Sequence, residues 1–266
     1  TPYPSACPPL APHSVGRVPA ILRFESPEGS IARDGSPVEF YRQLPPTGEP
    51  ELIHGSVPQG SEILELGCGA GRVTHGLVAL GHRVTAVDES AQMLAHVRGA
   101  QTVLARIETL DLQRRFPGVV LGSHFINTTD QATRQMLLRA CRRHLAEQVS
   151  LLVQAHDPDF DWPSAVGRKT ELGPVSITLL EAERSASLVR ATVRYEVGGQ
   201  QWIQLFAAEI LDEREIRAAL SAADLRFVCW LDRPTGWFEA GPGVAFAGPS
   251  SILPADDARV RQSARG

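Results

Sequence analysis

Residues 62–72 read Glu-Ile-Leu-Glu-Leu-Gly-Cys-Gly-Ala-Gly-Arg. The apolar run Ile63, Leu64, Leu66 predicts a buried strand. The glycines at 67, 69 and 71 predict a sharp turn, because a residue without a Cβ reaches backbone angles that others avoid and lets a ligand approach closely. The helix that follows presents unbonded N–H groups at that ligand. Such a strand–glycine turn–helix unit is a nucleotide cradle, and it commits the chain to an α/β architecture with its ligand at the strand ends.

Two details select the nucleotide. A dinucleotide fingerprint places a third glycine three residues after the second; Arg72 stands there instead. The acid Glu65 precedes Gly67 by two residues, a poor neighbour for a pyrophosphate and a good one for a cofactor carrying an ammonium and a sulfonium. Both details argue against an NAD-dependent oxidoreductase. The pattern Glu-x-Gly-x-Gly-x-Gly resembles motif I of the class I S-adenosylmethionine (SAM)-dependent methyltransferases. The segment His82–Asp88 reads as a second strand ending in an acid, 21 residues after Gly67. An acid at that place holds ribose hydroxyls in α/β nucleotide folds; the alternative is that Asp88 only caps a helix starting near Ser90.

Strands and helices alternate from residue 61 to about 156. Expected strands cover 61–66, 83–87, 101–105, Val119–Phe125 and Val149–Gln154. Helices are expected at 71–80, 90–98 and 130–145, with Gly81 ending the first, Ser90 capping the second, and Met136, Leu137, Ala140, Cys141 and Leu145 forming the buried face of the third. The pattern then changes to consecutive strands, Val175–Glu183, Ser187–Val197 and Gln200–Ile210, with Gly198-Gly199 as a hairpin signal. Asp212 and Glu215 open a helix over 213–223 as a capping box, and strands at Phe227–Leu231 and Trp237–Ala240 follow.

The expected fold is a Rossmann-like, mainly parallel seven-stranded sheet with helices on both faces, plus a small antiparallel insertion covering the active site. The division is a Pro-rich arm (1–36, disordered or a lid), a SAM-binding core (37–172), the insertion (173–210), a helix and strands completing the core (211–249) and a tail (250–266). The family's Pro-Gly-Gly before strand five is absent; Glu147-Gln148-Val149 stands there.

The resemblance implies a cofactor site. Glu65, Gly67, Cys68, Gly69 and Gly71 would face the methionine moiety, with Cys68 a small filler and not a nucleophile. Asp88 would hold the ribose, and Glu89 and Met93 would line its edge. Ile107 would pack on the adenine and Glu108, or Asp111, would meet its amino group. An N-terminal helix would contribute Tyr41 over the cofactor and Arg42 to its carboxylate, with Phe40 toward substrate or in the core. Ser123 and His124 end the fourth strand, beside the transferred methyl. His124 is the candidate general base, since imidazole titrates near neutrality; the other reading is a buried cavity histidine. Asn127, His156 and Trp162 would line the substrate cavity, whereas Trp202, Trp230 and Trp237 read as core.

Net charge is −4 and no basic stripe appears, which argues against nucleic acid. No run reaches the ~18 apolar residues of a membrane span. The four cysteines lack paired spacing, the histidines lack metal spacing, and no apolar signal core opens the chain. These features predict a metal-free cytoplasmic protein, monomeric or homodimeric, acting on a small molecule. Twenty prolines, 23 glycines and arginine far above lysine resemble high-GC actinobacterial proteins, whose methyltransferases of this kind decorate natural products. The expectation is methyl transfer to N, O or C of a small organic molecule, with S-adenosylhomocysteine (SAH) as product. The alternative is a SAM-binding regulatory or scaffolding protein that does not methylate.

Overall fold

The computed structural model describes residues 36–243. The arm expected over 1–36, apart from Ser36, and the tail expected over 250–266 lie outside the described residues. In chain order the elements are helices α1 (Val38–Gln43) and α2 (Glu49–Ser56), strand β1 (Glu62–Leu66), α3 (Arg72–Ala79), β2 (Arg83–Asp88), α4 (Ala91–Leu94), β3 (Gln101–Leu104), β4 (Phe116–Leu121), α5 (Gln131–His144) and β5 (Leu145–Gln154). Strands β6 (Lys169–Leu172), β7 (Val175–Ser185), β8 (Leu188–Val197) and β9 (Gln200–Glu209) follow, then α6 (Glu213–Ser221), β10 (Leu225–Asp232) and β11 (Trp237–Pro242).

Seven strands form one sheet in the order β10-β11-β5-β4-β1-β2-β3. Strands β1 to β5 pair in parallel, and β11 and β10 are antiparallel. Burial on both faces explains the apolar runs. Leu64, Leu66, Val119, Leu121, Leu151 and Val153 pack on one face with Leu137 and Leu138 of α5 and Ile216 and Leu220 of α6. Ile63, Val120 and Leu152 pack on the other with Ile53 of α2 and Leu77 of α3. The winding reverses between β1 and β4, so the ligand crevice of such a sheet lies at their carboxyl ends.

The local signals act as the residues demand. Gly81, at φ +89°, ends α3: its N–H donates to the Val78 carbonyl and the His82 N–H to that of Leu77, both at 3.0 Å, the doubly bonded left-handed helix end. Asp212 and Glu215 form the capping box on α6. Gly198 and Gly199, at φ +57° and +80°, make the two-residue turn between β8 and β9.

Four expectations need correction. Strand β4 spans Phe116–Leu121, not Val119–Phe125, because Ser123 and His124 take left-handed angles, φ +51° and +56°. Helix α4 is only four residues long. Met136 is exposed; Leu138, at the helical spacing from Arg134 and Cys141, is buried in its place. Strand β6 was not expected, so the second sheet begins at Lys169.

The second sheet runs β6-β7-β8-β9, all antiparallel. Its inner face alternates Val189, Ala191, Val193 and Tyr195 on β8 with Trp202, Phe206 and Ala208 on β9, and Phe40 and Leu44 of α1 pack against it. No helix among the described residues is long and apolar enough to cross a membrane.

Candidate active site

The glycine turn leaves β1 at the switch point. Gly67, Gly69 and Gly71 sit at φ +74°, +54° and +90°, left-handed values that a side chain disfavours. The Gly67 and Cys68 N–H groups donate to the Val87 carbonyl at 2.8 and 2.9 Å, tying the turn to β2. A Cβ on Gly67 would stand 2.2 Å from the Phe125 ring, whereas one on Gly69 would meet nothing within 4 Å. The turn therefore presents open backbone at Gly69. Burial, followed by the charges of Glu65 and Asp88, pushes the Cys68 thiol far above its ordinary range, so it fills space as expected of it.

Asp88 braces this turn. Its Oδ2 accepts the Gly69 N–H at 2.9 Å and its Oδ1 the Ser90 N–H at 2.8 Å. The cap of α4 is Ser90, whose hydroxyl accepts the Met93 N–H at 3.2 Å. Glu65 is buried on β1 and accepts a hydrogen bond from the Thr74 hydroxyl at 2.5 Å. Burial pushes its carboxyl up from 4.5 to about 7, against the pull of Thr74 and of the Arg72 charge. Arg72, where a dinucleotide site has glycine, forms an ion pair with Glu49 of α2, and both side chains are largely buried.

Helix α1 reaches across to the turn. Tyr41 packs with Ala70, Met93 and Val38. Arg42 is exposed and paired with Glu39 on its own helix at 2.6 Å, and Tyr41 is the side chain of this helix that packs at the cradle. Phe40 is wholly buried, its ring 4.4 Å from that of Tyr195, the core position that the sequence also allowed. Beyond β2, Arg106 stands between Glu89 (3.8 Å) and Glu108 (2.9 Å). Asp111 instead accepts the Gln113 N–H in its own exposed turn. Glu108 is thus the carboxylate joined to the Asp88–Glu89 loop, and Ile107 is buried in the same core cluster as Val87.

The strained pair Ser123-His124 turns the chain at the end of β4, with the Ser123 N–H donating to Gln154 Oε1 at 3.0 Å. This places the His124 ring flat on His156, centroids 4.0 Å apart and planes within 10°. Both rings are wholly buried. Burial, and then the neighbouring His124, holds His156 well below the ordinary histidine range, so it is neutral near pH 7. The Trp162 ring meets His156 edge-on at 5.2 Å. Asn127 bridges two segments. Its Nδ2 donates to the Glu209 carbonyl at 2.7 Å, and its Oδ1 accepts the His156 N–H at 2.9 Å. Its amide is spent on two backbones and joins the second sheet to the core. Arg134 adds to that seam through Glu209 (2.6 Å) and the Ile126 carbonyl (2.7 Å).

Sequence reasoning missed Gln204, which lies buried on the inner face of β9 between Trp202 and Phe206. Its signal was a polar residue in the apolar phase of an alternating strand. Among the described residues no group of three His, Cys, Asp or Glu side chains is placed to hold a metal ion.

A glycine cradle braced by an acid at the switch point is the geometry of a nucleotide-type cofactor site. Residues 63–148 match the family model described as "Methyltransferase domain". This segment of the core is thus similar to a methyltransferase domain. The methyltransferase fold extends well beyond that segment. A SAM-dependent methyltransferase from Clostridium acetobutylicum superposes with a TM-score of 0.59 at 16% identity, over 77% of this chain and 90% of that one. The CcbJ methyltransferase of Streptomyces caelestis gives 0.60 at 21% identity, over 75% and 91%. A sugar N-methyltransferase from a Streptoalloteichus species gives 0.59 at 18%, over 86% and 100%. At these identities the likeness is one of fold. No curated protein matches the sequence.

Proposed function

We propose that this chain transfers a methyl group from SAM to an N, O or C atom of a small organic molecule, within natural-product biosynthesis. The observation that carries the reading is the constellation of Glu65, the open backbone at Gly69 and the bracing carboxylate of Asp88. A buried acid raised to about 7 suits a cationic ligand group, which favours its charged form. Asp88 has four lone-pair positions on two oxygens, so its two backbone bonds are compatible with accepting from ribose hydroxyls. Tyr41 would cover the cofactor, and Glu108 would meet the adenine amino group. The structural likeness to a sugar N-methyltransferase and to the Streptomyces methyltransferase supports a natural-product acceptor.

SAM supplies an already activated methyl on its sulfonium. The protein's part is then mainly alignment, which removes an entropic barrier. The acceptor would enter between the second sheet and the ends of β4 and β5, beside the His124–His156 stack. As the acceptor's lone pair bonds to the methyl carbon the C–S bond breaks and SAH leaves, and the proton given up by an acceptor N–H or O–H would pass to His124 as general base.

Calorimetric titration with SAH tests the cofactor, with NAD as control: micromolar SAH binding is the expected result, and binding of NAD alone sinks the reading. With an acceptor in hand, His124→Ala should lower kcat while SAH affinity holds. Undiminished turnover would make His124 a wall residue.

A further inference from the structure

The inner face of the second sheet is apolar except at the Tyr195 hydroxyl and at one amide. Along β9 the inward residues are Trp202, Gln204, Phe206 and Ala208, and Gln204 stands opposite Val193. The Gln204 side chain is 4% exposed, and neither its Nε2 nor its Oε1 has a hydrogen-bond partner. Phe206, two residues on and on the same face, meets the Trp162 ring at 5.9 Å. Trp162 in turn packs on His156. Trp162 Nε1 and both ring nitrogens of His156 are likewise buried without a hydrogen-bond partner. Three polar side chains, one on β9 and two on the connection between β5 and β6, are thus buried around the Trp162–Phe206 contact with their hydrogen-bonding capacity unused. A buried amide bonded to nothing destabilises a fold, and a cluster of such groups beside a strained, histidine-bearing turn marks a place built for a ligand.

The chemistry of that ligand follows from the groups. Among the buried residues of the second sheet those with polar side-chain groups include Ser176, Thr178, Gln204 and the Tyr195 hydroxyl, and none is charged. The Gln204 amide offers a donor and an acceptor side by side in one plane, and the indole adds a donor. A carboxylate or an ammonium would lose its hydration here without a counter-charge.

We propose that Gln204, with the Trp162 N–H and the His156 imidazole, recognises an uncharged part of the methyl acceptor carrying an adjacent donor and acceptor, as an amide edge or a vicinal diol does. Gln204 is then a specificity residue. The inference rests on the methyltransferase reading, and its test separates the two.

The test compares wild type with Gln204→Leu, both saturated with SAH, by ligand-observed NMR with four probes: 2-pyridone (a cyclic amide), catechol (a vicinal diol), benzoate and benzylamine. Wild type should bind 2-pyridone or catechol and take neither charged probe, and which neutral probe binds distinguishes the amide from the diol. Gln204→Leu should weaken that binding by about tenfold or more, the loss of bonds to a buried amide. It should leave SAH affinity unchanged and Tm unchanged or higher, since an apolar side chain replaces an unbonded one. A lowered Tm would give the amide a structural role and overturn the proposal. So would fragment binding unaffected by the substitution, binding of the charged probes, or no binding of any probe to SAH-loaded wild type. Failure of wild type to bind SAH at all would overturn the methyltransferase reading itself.

Discussion

Asp88 and Glu65 do different work with the same functional group. Asp88 holds the Gly69 N–H and the Ser90 N–H, so it shapes the turn. Asp88→Ala should weaken SAH binding by about 1–3 kcal/mol, the cost of losing its hydrogen bonds; unchanged affinity by calorimetry would remove it from the site. Glu65 is set by burial. Its folded value, about 7, lies above the ordinary 4.5. In the free protein its contribution to stability is therefore complete below about pH 4.5 and is lost as pH rises through about 7. A cation beside it reverses the preference, so SAM binding should release a proton below about pH 7 and tighten as pH rises through that window. Calorimetry in buffers of different ionisation enthalpy reads that proton, and Glu65→Gln should abolish it. A binding enthalpy independent of buffer would contradict the assignment.

At the scale of elements, two glycines with similar backbone angles have opposite meanings. Gly236, at φ +76°, lies at the entrance to β11, where a Cβ would stand 1.7 Å from the Ala155 carbonyl oxygen. The Gly236 carbonyl also accepts the Ala155 N–H at 2.9 Å. Gly236→Ala should separate β11 from β5 and yield little folded protein. Gly69, at φ +54°, has open space where its Cβ would be. Gly69→Ala should fold, with a cost of about 1–2 kcal/mol for the left-handed residue, and lose SAH binding because the methyl occupies the ligand's approach. Thermal melts with and without SAH separate the two cases, and a Gly69→Ala protein stabilised by SAH as wild type is would refute the cradle.

Buried histidines set the acid limit of the whole molecule. Burial lowers His82, His144 and His156 from the usual 6.5, and His82 Nε2 also lies 2.9 Å from His54 Nδ1, joining α2 to the start of β2. A histidine depressed in the fold stabilises it fully above its unfolded value. That stability is lost as pH falls below about 6.5 and through the folded values. Tm should drop on acidification from pH 7 to 5. Glu65 opposes this slope, so the drop should be steeper in Glu65→Gln; a flat profile in that variant would contradict the burial of the three rings.

The main sheet and the cradle were legible because their signals are local. A strand leading into three glycines, an acid at the end of the next strand, a Gly at a helix end and a Gly-Gly hairpin each state a backbone demand that neighbouring residues alone can meet. Periodicity separated the strands of the core from its helices, and Glu65 with Arg72 selected among nucleotide cradles before any contact was known. The surroundings of Arg42, Asn127 and Gln204 depend on tertiary packing. Arg42 turns to Glu39 because α1 lays its other face on the second sheet. Asn127 spends its amide on Glu209, 82 residues away. Gln204 is buried because the inner face of β9 packs at Phe206 against Trp162, more than forty residues away in the chain. Pairing between distant segments depends on how whole faces pack, and no short stretch of chain carries that information; side-chain chemistry and backbone angle are carried residue by residue.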